Sequence, residues 1–170
     1  MTAKIPEWIE EVFERYLTAE FTYLDGEMPR TVAVLPYYDA KKKKILITTS
    51  PAFYKKVGCV KRNPKVCVLF SNSRYSGIGG NAVVLVQGIA KVNENIEENL
   101  HYLMNLMINY RDCWKKRVLE KMAEELMSPI VKWLMDWYVL RIVIEVKPKR
   151  LIFWKDGKIE NRPEVLEVVD

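Results

Sequence analysis

The sequence predicts a mainly β, α+β protein built as a small antiparallel barrel of six to seven strands. Strand-like runs recur along the chain with turn residues between them, as antiparallel neighbours require. A helical pattern of some forty residues is inserted before the last strands. Helices do not alternate with strands early in the chain, which argues against a parallel, doubly wound sheet. Closing such a sheet on itself removes its edges.

Taken in order, residues 6 to 20 carry Trp8, Ile9, Val12, Phe13, Tyr16 and Leu17 at helical spacing, with Pro6 in the first turn. Strands follow at Phe21 to Leu24, Thr31 to Tyr38 and Ile45 to Thr49. "LDGEMPR" supplies an Asp-Gly turn between the first two, and "DAKKKK" a longer loop between the next two. Ser50 and Pro51 form a helix start, with Ser as N-cap and Pro at the first helical position. That helix ends before Pro64, because a residue preceding proline is pushed out of helical geometry. Val66 to Phe70 is a strand, "SNSRYSGIGGN" a loop, and Ala82 to Val92 a strand in which Gly88 marks a bulge or barrel corner.

From Ile96 to Trp137 the pattern is helical. Leu100, Leu103, Met104, Met107 and Ile108 make one stripe and Val118, Leu119, Met122 and Leu126 another, read as core packing. "YVLRIVIEVKPKRLIFWKDGKI" gives two more strands, with "DG" as a turn. No repeat, linker or domain boundary interrupts the chain, so residues 1–170 are read as one domain.

Composition narrows the function classes. A chain of 170 residues, 49% hydrophobic, can bury a full core. No apolar run reaches the roughly 18 residues of a membrane span, and the amphipathic, acidic start resembles no signal peptide, so a cytoplasmic location without membrane contact is expected. Cys59, Cys67 and Cys113 form no CxxC pair, and His101 is the single histidine, so no Cys/His zinc site can be assembled. The net charge of +5 raises a nucleic-acid reading. Its densest run, Lys41 to Lys44, falls in a hairpin loop where lysines are ordinarily solvated, and no nucleic-acid-binding signature accompanies it. No nucleic-acid partner is expected.

The stretch "ITTSPAFYKKVGCVKRNPKVCVLF", residues 47 to 70, is where chemistry concentrates. With Ser50 as N-cap, free amides of the first turn point outward at the positive end of the helix dipole. Lys55 and Lys56 follow by five and six residues, and helical side chains lean back toward the N-terminus. Threonine and serine donors, two ammonium groups and open amides suit a phosphate monoester. The same residues also read as a capped helix with two solvated lysines.

Four segments in order resemble one family: "PRTVAVL", "ILITTSPAFYKKVGCVKRNPKVCVLF", "VVLVQGIAKV" and "RIVIEVKPKRLIFWKDG". The chain is similar to the pyridoxamine 5'-phosphate oxidase-like FMN-binding split barrels, over about residues 6 to 93 and 138 to 160. In that family a strand ending in Thr or Ser leads into a short basic helix ending in "NP", and a later strand carries a glycine. Lys56, eight residues before Pro64, stands where the family places its phosphate-binding lysine.

The resemblance implies FMN at a homodimer interface, its phosphate held by Lys55, Lys56, Ser50 and Arg30. Ile47, Thr48 and Thr49 would present backbone groups to the isoalloxazine edge. Trp154, on the alternating strand "RLIFWK" whose two faces are both apolar, would line the flavin site or the dimer seam, the alternative being that the inserted helices cover that face. The Arg-Gln pair of true pyridoxamine phosphate oxidases would fall on Ala82 and Val83, and their C-terminal signature is missing, so no vitamin B6 substrate is implied. No catalytic side chain is nominated. The expected function is a flavin-dependent oxidoreductase. The alternatives are a non-enzymatic flavin carrier or sensor, or the same barrel binding F420 or haem.

Overall fold

A computed structural model describes residues 2–74, 81–109 and 141–169. Nine strands join in one sheet: β1 (Thr2–Ala3), β2 (Ala19–Asp25), β3 (Met28–Val34), β4 (Pro36–Asp39), β5 (Lys44–Thr49), β6 (Lys65–Phe70), β7 (Val83–Asn93), β8 (Ile142–Trp154) and β9 (Glu164–Val168). Helices α1 (Glu7–Arg15), α2 (Tyr54–Arg62) and α3 (Ile96–Asn109) pack around it, with a 3-10 turn at Pro51–Phe53.

The ladders trace a barrel. β2 pairs with β3 and β6, β6 with β7, β7 with β8, β8 with β5 and β5 with β4, all antiparallel. β3 and β4 are separated by Leu35 alone, so one bent segment carries the ring from β2 round to β5. Residues 31 to 38 are therefore two strands, not the single one expected, because their halves pair with different neighbours.

The barrel is split along β8. Its first half, through Val146, pairs with β5; from Arg150 it pairs with β9 instead. The closing segment, expected to give two strands with "DG" as a turn, is one continuous strand through Pro148 followed, after a turn at Gly157, by β9. Proline is tolerated inside it because Pro148 faces Gly88, where the β7 register shifts. A ladder hydrogen bond is already missing at such a bulge. The bulge expected at Gly88 is where the sheet changes partners.

α1 stops at Arg15, short of the expected end near residue 20. Tyr16 continues the helical spacing, but it turns into the core and its hydroxyl donates to the Ala82 carbonyl at 2.7 Å. Ile9, Val12 and Phe13 are buried as the spacing predicts, and Phe13 packs on Tyr38 and Phe70 with ring centroids 5.2 and 4.9 Å away. Truncating such a ring to alanine costs about 3–5 kcal/mol.

Of the long helical segment, only α3 falls on described residues; the rest, with Cys113 and the second stripe, lies outside them, as does "SGIGG". On α3 Leu100 and Leu103 are half-buried and Met104 is 54% exposed, so these three members of the first stripe are not the closed core expected. In the lysine loop Lys41, Lys42 and Lys43 are exposed, as expected, although Lys43 pairs with Glu10 and Lys42 lies over the Tyr102 ring; Lys44, half-buried at the start of β5, pairs with Glu145. Among the described residues, no helix is long and apolar enough to cross a membrane and no cluster of His, Cys, Asp and Glu could hold a metal.

Candidate functional site

The site lies at the barrel end where β5 and β7 finish and β8 begins. Thr48 pairs with Val143 and Thr49 with Ile142, so Arg141 stands one step beyond the ladder, across from Ser50. Ile47 lies between β4 and β8, paired with Pro36 and Ile144, and neither of its backbone edges is open. Among the described residues, Thr48 and Thr49 have a strand on the β8 side only. Successive residues of an antiparallel ladder direct their N–H and C=O to opposite edges, so one of the two threonines offers its backbone away from β8. Thr49 is itself buried.

Ser50 caps, but not the α-helix. Its Oγ accepts from the Ala52 N–H at 3.3 Å and starts the 3-10 turn; α2 begins at Tyr54 with no side-chain cap. Val57, Cys59 and Val60 bury one face of α2. The helix is braced to the end of β7 by Glu94, which accepts from the Tyr54 hydroxyl at 2.6 Å and the Lys61 ammonium at 2.7 Å. It ends at Arg62, before Asn63–Pro64, as expected.

Lys55 and Lys56 diverge, because neighbouring residues on a helix point about 100° apart. Lys55 reaches Asp25 at the end of β2, with Nζ 2.8 Å from Oδ2. Arg30, on β3, approaches the same oxygen at 3.2 Å. The Cys59 thiol donates to Asp25 Oδ1 at 3.5 Å, and Arg62 donates to the Cys59 sulfur at 3.3 Å. The Lys55 bond, more than any other contact, holds the Asp25 carboxyl below its ordinary range. Two of the expected phosphate ligands therefore meet at a carboxylate.

Lys56 takes the other direction. It is half-buried and makes no hydrogen bond or ion pair among the described residues. Burial pushes its ammonium below the ordinary lysine range, and the Arg141 guanidinium adds to the shift. Arg141 is held by its backbone: the fully buried Asn99 donates its amide to the carbonyls of Asn93, at 2.8 Å, and Arg141, at 3.0 Å. One side chain thus ties the end of β7 to the start of β8.

Trp154 is not brought to this cluster within the chain. It pairs with Val83, twelve residues along β8 from Ile142, which is roughly 40 Å of strand path. Its indole N–H donates to the Asn161 carbonyl at 2.8 Å. The alternation around it holds: Leu151 and Phe153 are buried, and Ile152 and Trp154 are half-buried. Asp25, Glu94, Asn99 and Arg141 escaped the sequence reading. Only the Asp-Gly turn placed Asp25 at a strand end, and nothing local marked the others.

A sheet that closes through a bent segment and changes partners along β8 is a split β-barrel. No family model matches the sequence, and no curated protein matches it significantly. Solved structures do match. A protein related to general stress protein 26, of the pyridoxinephosphate oxidase family, from Clostridium acetobutylicum aligns with a TM-score of 0.57 at 11% identity, over 94% of this chain and 92% of that one. An FAD-binding protein from Mesorhizobium loti aligns at 0.52 and 12% identity, over 88% and 94%. An F420 reductase aligns at 0.54 and 16% identity, over 89% and 99%. At these identities the likeness is one of fold. The split barrel that the motifs resemble is the architecture of this chain.

Proposed function

We propose that this protein binds a flavin-type cofactor, FMN in the first instance, as a homodimer and acts as an oxidoreductase. The observation that carries the reading is Lys56: a half-buried ammonium beside a second cation, with no carboxylate opposite it among the described residues. Burying a charge costs free energy unless it is paired, and a phosphate monoester is a fitting partner at such a position. Ser50 stands six residues before it, at the end of β5, and the Thr48–Thr49 edge away from β8 can hydrogen-bond the rim of a planar ring. The cofactor, when bound, supplies hydride and electron transfer, and the chain supplies binding and orientation. The similarity in fold to an FAD-binding protein and an F420 reductase supports this class of cofactor and keeps F420 as the second reading.

The test is a fluorescence titration with FMN and riboflavin. Lys56→Ala should lose about 1.5–3 kcal/mol of FMN binding, roughly ten- to a hundredfold. Lys158→Ala, at an exposed position remote in sequence, should lose nothing. Equal losses in both would mean that diffuse positive charge attracts the ligand. Turnover with a nicotinamide donor then separates an oxidoreductase from a flavin carrier.

A further inference from the structure

We infer that α3 is a releasable strap, fastened to the barrel at two polar points, Asn99 and Tyr102, and leaving it as a unit when the second point lets go. The inference does not depend on the flavin reading.

The three helices bury their faces differently. α1 buries Ile9, Val12 and Phe13, and α2 buries Val57, Cys59 and Val60. Over residues 96–106 of α3 the one buried side chain is Asn99. Ile96, Leu100, Leu103 and Leu106 are half-buried, and Met104 is 54% exposed. Buried apolar area is the main term that fixes a helix to its support. A polar contact adds less, because water offers the same groups equivalent bonds. α3 therefore leans on polar contacts more than α1 or α2 does.

The two fastenings differ in kind. Asn99 is fully buried and donates its amide to the carbonyls of Asn93, at 2.8 Å, and Arg141, at 3.0 Å, so water cannot replace it. One turn further on, the Tyr102 hydroxyl donates to Asp39 Oδ2 at 2.5 Å, and the Lys42 ammonium lies 3.8 Å from the centre of the Tyr102 ring. Tyr102 is half-buried and Lys42 exposed, so water reaches this end. The other oxygen of Asp39 accepts from the Lys41 and Lys42 backbone N–H groups, each at 3.0 Å. The lysine loop thus keeps its own turn when the helix leaves, and the latch can close again on an unchanged partner. Arg141 precedes Ile142, which pairs with Thr49, whereas Asp39 pairs with Lys44 at the other end of β5. The strap runs from the candidate site, where it is fixed, toward the lysine loop, where it is released.

Hydrogen exchange on the full chain reads this directly. A helix of 14 residues away from its support is marginal in water, so its amides exchange when it leaves. In the parent, amides of residues 100–109 should be at least roughly tenfold less protected than those of β7. Tyr102→Phe should speed exchange in α3 about ten- to a hundredfold, the loss of one hydrogen bond to a carboxylate. It should leave β7 and α1 within about threefold of the parent. Lys42→Met, which removes only the cation over the ring, should speed α3 about two- to fivefold. Parent α3 amides as protected as those of β7 would overturn the inference. So would Tyr102→Phe accelerating α1, β7 and α3 together, since α3 would then open only with the whole barrel. If Tyr102→Phe does not fold, Lys42→Met decides: acceleration confined to α3 supports the strap, and uniform or absent acceleration overturns it.

Discussion

Replacing Gly88 by alanine tests the split itself. Gly88 faces Pro148 at the register shift, between the last β5 pair of β8 at Val146 and the first β9 pair at Arg150. A Cβ there would lie 2.6 Å from the Lys147 carbonyl oxygen and 2.9 Å from Val146 Cγ1. The first atom is backbone, so relief requires the two longest strands to separate where the barrel opens. Such overpacking costs about 1–3 kcal/mol. In a chain of this size each kcal/mol moves Tm by about 2–4 °C, so the variant should melt roughly 2–12 °C below the parent. Gly58→Ala is the control. It lies inside α2, and its Cβ would meet only the Arg62 side chain, at 3.6 Å. Alanine there should stabilise by about 0.5–1 kcal/mol, because glycine loses more backbone freedom in a helix. Calorimetric melting of the two variants reads both signs. A Gly88→Ala protein as stable as the parent would refute the close approach of β7 to β8.

Asn99→Ala should cost about 1–3 kcal/mol in urea unfolding, because two carbonyls lose their buried donor. The depressed Lys56 ammonium gives a pH signature. Between its folded value and the ordinary 10.5 the unfolded chain binds more protons, so stability should rise with pH in that window. Lys56→Met should flatten the rise in a Tm-against-pH series, and FMN affinity of the parent should fall across the same window. Light scattering should find twice the 20.0 kDa chain, and a monomer at micromolar concentration would remove the proposed dimer. Trp154 lies far along β8 from Thr49, so strong flavin quenching that disappears in Trp154→Phe would have to come through the partner subunit.

Local signals along the chain were enough for much of the fold. The spacing of Ile9, Val12 and Phe13 marks a buried helix face because 3.6-residue periodicity is a property of neighbours. The Asp-Gly turn appears with Gly26 at φ 68°, and Asn63–Pro64 ends α2, since backbone sterics act within a residue or two. Gly88 betrayed a bulge because a strand interior rarely accepts glycine without one. Where the sequence misled, a distant partner had overruled a local preference. Tyr16 fits the helix but leaves it for a carbonyl 66 residues away. Proline disfavours a strand interior, yet Pro148 sits inside β8 because the register shift at Gln87/Gly88, where β8 carries one extra residue, spares the missing N–H.

The site divides in the same way. That "TTSPAFYKK" gathers donors and charges is plain from the residues, whereas their sorting is not. Lys55 and Lys56 are neighbours in sequence and differ in their surroundings: Lys55 meets Asp25 at the end of β2, while Lys56 is half-buried and feels the charge of Arg141, just before β8. The apposition of Arg141 with Ser50 is set by the β5–β8 register, between segments some ninety residues apart. Register of that kind is chosen by how whole strands bury their apolar faces together, and no spacing within either segment encodes it.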